Sequence, residues 1–249
     1  MIVASRIFLA YLLCALAFSG ETLAAGEKPL RVAVIDNSPH MTYRDARGEL
    51  TGFNIEIMKA LCEEINAACE FHVTTLDYVV SALASNEYDV AAVGLLDTPE
   101  RRATILLSRP YFRSVTLWFA RPGVVPGQNG FRVAVVRGSA QERYALLRSW
   151  EVVRVRTNGE LAEPIRAGLA QAAIIPMSSA FNLMKSPDFL DLGLTSSVMH
   201  EPELCGDASF GISPARPEIK EQIDAALERI KRNGTYDRVN SQFMPFRVN

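Results

Sequence analysis

The chain alternates short apolar strands with amphipathic helices, and it does so twice. The first run has a strand over 30–35 and a helix over 53–67 with Ile57, Leu61 and Ile65 on one face. A strand over 71–75, a helix over 78–85 and a strand over 89–95 complete it. The second run has a strand over 131–136, a helix over 141–148, a strand over 152–155, a helix over 160–170 and a strand over 172–175. This rhythm specifies a parallel sheet wrapped by helices, and its restart within 249 residues specifies two α/β lobes. Arg121-Pro122-Gly123, Pro126-Gly127 and Asn129-Gly130 punctuate the junction, and 114–120 before it reads as an extended crossing strand. The tail is helical over 217–231, with the stripe Ile219, Ile223, Leu227 and Ile230; Asn233-Gly234 ends that helix and a short one follows over 236–243.

With 49% hydrophobic residues, 22% charged and a net charge of -2, the composition is that of an ordinary globular protein. No basic excess points to nucleic acid and no acidic tail points to a solvating arm. Arg6 followed by an apolar run over 7–18 and by Thr22-Leu23-Ala24 has the order of a secretory signal. We read 1–24 as cleaved; the alternative is an uncleaved anchor, for which the run is short. Cys14 follows Leu13, where a lipoprotein signal needs a small residue, so the exported protein is expected to be soluble. Cys62 lies late in the first helix and Cys69 begins the next strand. A bridge would staple the two, as an oxidising compartment permits; otherwise both are buried thiols. Cys205 is the odd cysteine and reads as a small buried apolar residue.

Chemistry concentrates in Asp97-Thr98-Pro99-Glu100-Arg101-Arg102. Thr98 suits an N-cap, Pro99 the first helical position, and Glu100 the positive end of the dipole. Arg101 then stands at a strand end beside free backbone amides, which is a place to hold a small carboxylate; otherwise it is a solvated surface arginine. His40, His72 and His200 have no metal-ligand spacing, and no nucleophile elbow, phosphate loop or Cys-x-x-Cys is present.

In this order the chain carries Leu30-Arg31-Val32, Gly48 through Glu56, Tyr88-Asp89-Val90, Thr98-Pro99-Glu100-Arg101, Tyr111-Phe112-Arg113-Ser114, Val135 through Ser139 and Asn233 through Asp237. Together they resemble the periplasmic solute-binding proteins of polar amino-acid ABC transporters (bacterial family 3). The resemblance implies a two-lobed periplasmic-binding-protein type II α/β fold with two crossover hinge strands. It places lobe one at 28–113 and 207–249, lobe two at 117–198, and the crossings at 113–117 and 199–209. The cysteine pair is similar to that of the lysine/arginine/ornithine-binding branch, which carries a bridge at this junction.

The family site carries over in part. Arg101 stands where the family grips a ligand α-carboxylate, and Gly94 and Leu96 lie on the strand before it. Lobe two contributes the turn Gly138-Ser139-Ala140-Gln141; its backbone donors are expected to serve the ligand, but the usual second hydroxyl is replaced by Ala140. Pro176 stands where the family's ammonium-binding aspartate belongs. The usual aromatic platform is absent from 36–41, and Leu76 replaces a second aromatic. The acids left to replace the aspartate are Asp36 and Asp97; otherwise the ligand lacks an ammonium and its apolar body meets Met41, Leu76, Leu96 and Met177. The resemblance implies a monomeric, non-enzymatic binding protein that needs no cofactor or metal and delivers a small carboxylate to an inner-membrane ABC permease. The alternatives are a ligand sensor partnered with a membrane receptor and a cyclohexadienyl-dehydratase-like enzyme, which needs an acid in the cleft.

Overall fold

The computed structural model describes residues 28–245; the signal read over 1–24, with Cys14, lies outside them. The first elements are β1 (Leu30–Val34), the hairpin β2 (Tyr43–Arg44) and β3 (Leu50–Thr51), α1 (Phe53–Glu64), β4 (Cys69–Val73) and α2 (Leu76–Ala84). β5 (Val90–Leu96), the single-turn α3 (Pro99–Arg102), β6 (Leu106–Leu107) and β7 (Phe112–Ser114) follow. A second group comprises β8 (Thr116–Ala120), β9 (Arg132–Val136), α4 (Ala140–Leu147), β10 (Glu151–Val155), a 3-10 turn at Asn158–Glu160 and α5 (Ala162–Arg166). It ends with β11 (Ala172–Pro176), α6 (Met177–Leu183), α7 (Pro187–Leu190) and β12 (Thr195–Met199). β13 (Gly206–Ile212), α8 (Pro217–Arg232) and α9 (Thr235–Phe243) close the chain.

These strands form two large sheets, one per lobe. In lobe one the order is β4-β1-β5-β13-β6, with β7 also on β13; in lobe two it is β10-β9-β11-β8-β12. Both sheets share a plan in which three parallel strands are bordered by an antiparallel one, β13 in one lobe and β8 in the other. The stretch over 114–120, expected as one crossing strand, divides at Val115. Ser114 pairs with Gly206 in lobe one and Thr116 pairs with Met199 in lobe two, so the chain changes sheet across one residue.

Helices cover both faces of each sheet, as parallel strands require. In lobe one, α1, α8 and α9 seal a core around Phe53, Tyr111, Phe210, Ile223 and Tyr236, and α2 packs Val79 and Leu83 on the other face. Lobe two divides into a layer with Phe119, Leu161 and Ile175 and one with Trp118, Val133 and Tyr144. The helix expected over 160–170 is shorter: it begins after the 3-10 turn, tolerates Pro164 in its first turn and stops at Arg166 before Gly168.

Asp89, buried before β5, accepts from Arg31 at 2.9 Å and from Arg216 at 2.9 Å, tying β1 and the approach to α8 together. Burial alone would raise its pKa; the Arg31 side chain and amide, with the Arg216 charge, outweigh burial and hold it below the usual carboxylate value. Cys62 and Cys69 are bridged, with Cα atoms 6.3 Å apart, joining the end of α1 to the start of β4. Cys205 is half-buried rather than buried, and its thiol donates to the Met199 carbonyl at 3.0 Å.

Candidate functional site

The lobes meet at the carboxyl ends of their parallel strands, where open α/β sheets place ligands. Between them lies a cavity of about 90 Å³. Lobe one lines it with Ser38, Met41 and Thr42 after β1, Asn54 of α1, Leu76 of α2, Gly94 and Leu96 of β5, and Arg101. Lobe two adds Ser139, Ala140 and Gln141 at the start of α4, Asn158, Pro176 and Ser178. Of the residues expected from the sequence, Arg101, Gly94, Leu96, Ser139, Ala140, Leu76 and Pro176 thus come together, and Asp36 does not. Met41 also lines the cavity, whereas Met177 packs against the lobe-two core.

Arg101 is the charged residue of this lining among the described residues. Thr98 caps α3 by accepting from the Arg101 amide at 3.4 Å, and the guanidinium donates to the Leu96 carbonyl at 2.8 Å. Burial, aided by the nearby positive Arg143 and opposed by Glu100, pushes the guanidinium down to about 10, so it stays charged at neutral pH. Glu100 pairs with Arg143 of lobe two instead. A half-buried guanidinium with remaining donors and no ion-pair partner among the described residues has the chemistry to hold an anion.

The lobe-two turn contributes less than its sequence promised. Ser139 caps α4 by accepting from the Glu142 amide at 3.0 Å, while the Glu142 carboxylate reaches back to the Gly138 amide at 2.6 Å. This reciprocal capping consumes the Gly138 donor, and the Ser139 amide bonds the Val136 carbonyl at 3.1 Å. The amides of Ala140 and Gln141 are the turn's donors toward the cleft.

No acid faces the opposite side of the cavity among the described residues. Asp36 accepts from Arg44 at 2.8 Å and from the Asn37 amide at 2.6 Å, and Asp97 pairs with Arg102, so both proposed replacements are committed to local partners. Pro176 ends β11 opposite Thr116 and offers neither charge nor N–H. The lining there is neutral: Ser38, Thr42, Asn54, Gln141, Asn158 and Ser178. Several of these are already held. Tyr111 donates to the Asn54 amide oxygen at 2.6 Å, and Gln141 donates to Thr116 at 3.1 Å. Sequence reading named Gln141, as part of the lobe-two turn, but missed the rest of this set; Asn54 does fall within the quoted family segments, but nothing local marks it as facing the cleft.

The lobes also touch outside the cavity. The Gly159 amide donates to the Asn37 carbonyl at 2.9 Å, and the Asn37 side chain donates to Thr157 at 3.0 Å. Gly138, at φ +77°, lies so close to α2 that a Cβ there would fall 2.5 Å from the Asp77 Cα. Arg137 stands 4.0 Å from Asp77, and Arg143 meets Glu100. The structure is therefore that of a closed cleft.

The sequence model of the bacterial extracellular solute-binding proteins, family 3, matches residues 30–246. The chain is 24% identical over 246 residues to the histidine-binding periplasmic protein of Salmonella typhimurium, covering 94% of this chain and 95% of that one. It is 22% identical over 240 residues to the putative ABC transporter arginine-binding protein 2 of Escherichia coli, covering 93% and 97%. A solved ancestral arginine-binding protein bound to arginine superposes with a TM-score of 0.77 at 24% identity, over 87% of this chain and 98% of that one. The chain belongs to the family 3 extracellular solute-binding proteins.

Proposed function

We propose that this family 3 binding protein is exported to the periplasm, where as a monomer it captures a small carboxylate between its lobes and delivers it to an ABC permease. The carrying observation is Arg101, a half-buried charge facing a cavity whose other lining is neutral. A carboxylate there gains charge-assisted hydrogen bonds of about 1.5–3 kcal/mol each. An ammonium enclosed in the same cavity would meet no carboxylate, at a cost of several kcal/mol. The preferred ligand therefore carries a carboxylate and no free ammonium, and is held from lobe two by Ser139 and Ala140 and from lobe one by Gly94, Leu96 and Leu76. Closure follows because ligand contacts from both lobes favour the closed population. The neutral lining also disfavours the dehydratase-like alternative, whose chemistry needs an acid beside the leaving hydroxyl.

The test is calorimetric titration with simple carboxylic acids and their α-amino counterparts. Carboxylates without an ammonium should bind more tightly. Arg101→Ala should weaken them about a hundredfold or more, a loss of at least ~3 kcal/mol. Undiminished binding by the alanine variant would remove Arg101 from the site. Micromolar binding of lysine, arginine or glutamine would overturn the missing ammonium subsite.

A further inference from the structure

A second cavity of about 560 Å³ lies on the other side of Arg101, between α3, the length of α4 and the returning crossover at 202–206. It shares four walls with the inner cavity: Leu96, Arg101, Ser139 and Ala140. The inner space suits at most a small acid group, whereas the outer one falls within the range of cavities that hold an organic ligand. Its charges are mutually engaged. Asp97 pairs with Arg102, Glu100 with Arg143, and Arg148 with Glu203 at 3.7 Å while stacking 3.6 Å above the Tyr144 ring. Between the paired charges, Pro99, Ala140, the Tyr144 ring, Leu147 and Pro202 give the wall its apolar surface, alongside the polar Thr98 and Ser139. Leu147, at the end of α4, is 68% exposed.

We propose that the two cavities form one bipartite site for a monocarboxylate with an extended, uncharged apolar tail. This rests on the carboxylate reading of Arg101 given above. The acid group meets the guanidinium of Arg101, a residue that lines both cavities, and the tail runs past Ala140, also shared, to cover Tyr144 and Leu147. Ala140 suits this path, because a larger hydroxyl-bearing residue at this shared wall would present bulk and a polar group to the tail. The paired rim leaves no free charge for a second ionic group, so the tail is neutral. Cys205 forms part of the outer wall and reports its occupancy.

The experiment is calorimetry with acetate, butyrate, hexanoate and octanoate, with Cys205 reactivity toward a thiol reagent followed in parallel. Each methylene entering the outer cavity should raise affinity about fourfold. Octanoate should slow labelling of Cys205 while acetate, which reaches only Arg101, should not. Leu147→Asp should flatten the dependence on chain length. Arg101-dependent binding of short acids with no gain on lengthening and no protection of Cys205 would overturn the bipartite site and leave the carboxylate reading standing. Failure of every acid to bind would overturn both. Chain-length gain that survives Arg101→Ala would overturn the shared anchor.

Discussion

Two contacts close the cleft by different means. At Asn37 and Gly159, closure is made by a backbone hydrogen bond, a side-chain amide and a glycine that lets the chains touch. At Glu100 and Arg143 it is made by an ion pair whose side chains are 51% and 50% exposed. The first depends on shape and is indifferent to salt. The second is long-ranged but screened, as exposed pairs are. The difference is one of sensitivity: the ion pair answers to salt and pH, whereas the backbone contact answers to side-chain volume.

The sharpest way to break this comparison is at the second close approach, Gly138. A side chain there meets the backbone of Asp77, which cannot swing aside, and it must also adopt a left-handed conformation. Gly138→Ala should weaken carboxylate binding more than tenfold, about 1.4 kcal/mol or more. Calorimetry giving wild-type affinity would show that this approach is no part of the bound state. Gly159→Ala should cost less, severalfold in affinity, because the nearest atoms its Cβ meets are those of the Asn37 side chain, which can rotate away at the expense of its bond to Thr157.

Glu100→Gln should have a smaller effect still, visible at low ionic strength and lost at high salt. The same pair sets a pH dependence. The hydrogen bond from Arg143 holds Glu100 at about 2, against an ordinary value of 4.5. A depressed carboxylate favours the paired, closed state above about 4.5, and that contribution disappears as pH falls toward 2. Affinity measured across that window should decline in the wild type more than in Glu100→Gln; parallel curves would exclude the pair from closure. The smallest effect on binding belongs to Cys62→Ser. The bridge lies within lobe one and touches no closing contact, so affinity should be unchanged while stability to urea falls by about 2–3 kcal/mol.

Legibility in the sequence followed the strength of hydrophobic pattern. α1, α8, β1, β5 and β9 bury one or both faces and were readable from periodicity. β12, with Thr195 to Val198 exposed, carries no such pattern, and the two-residue strands of the hairpin are too short to show one. The two-lobed fold was legible because the strand–helix rhythm restarts and the family segments fall in order along the chain. Of the cavity, Arg101 was legible from its capped turn. Most of the neutral polar lining was not, since Ser38, Thr42, Asn54 and Asn158 come from separate segments that only tertiary packing assembles. Asp36 and Asp97 were candidates by nearness in sequence; Arg44 and Arg102, also near in sequence, hold them instead.

The position of β13 has a consequence for how the molecule is assembled as it emerges. β13 sits between β5 and the pair β6 and β7, so the lobe-one sheet is interrupted until residues 206–212 arrive. All of the lobe-two sheet, from β8 to β12, precedes it along the chain. The later half can therefore complete its hydrogen bonding while the earlier half still presents an unpaired β5 edge, an inversion of the usual order in which the domain made first folds first. Because Arg101 follows directly on β5, the lobe that carries it is finished last. A chain halted before β13 would carry a formed lobe two and the Arg101 turn, but no partner sheet against which a cleft could shut.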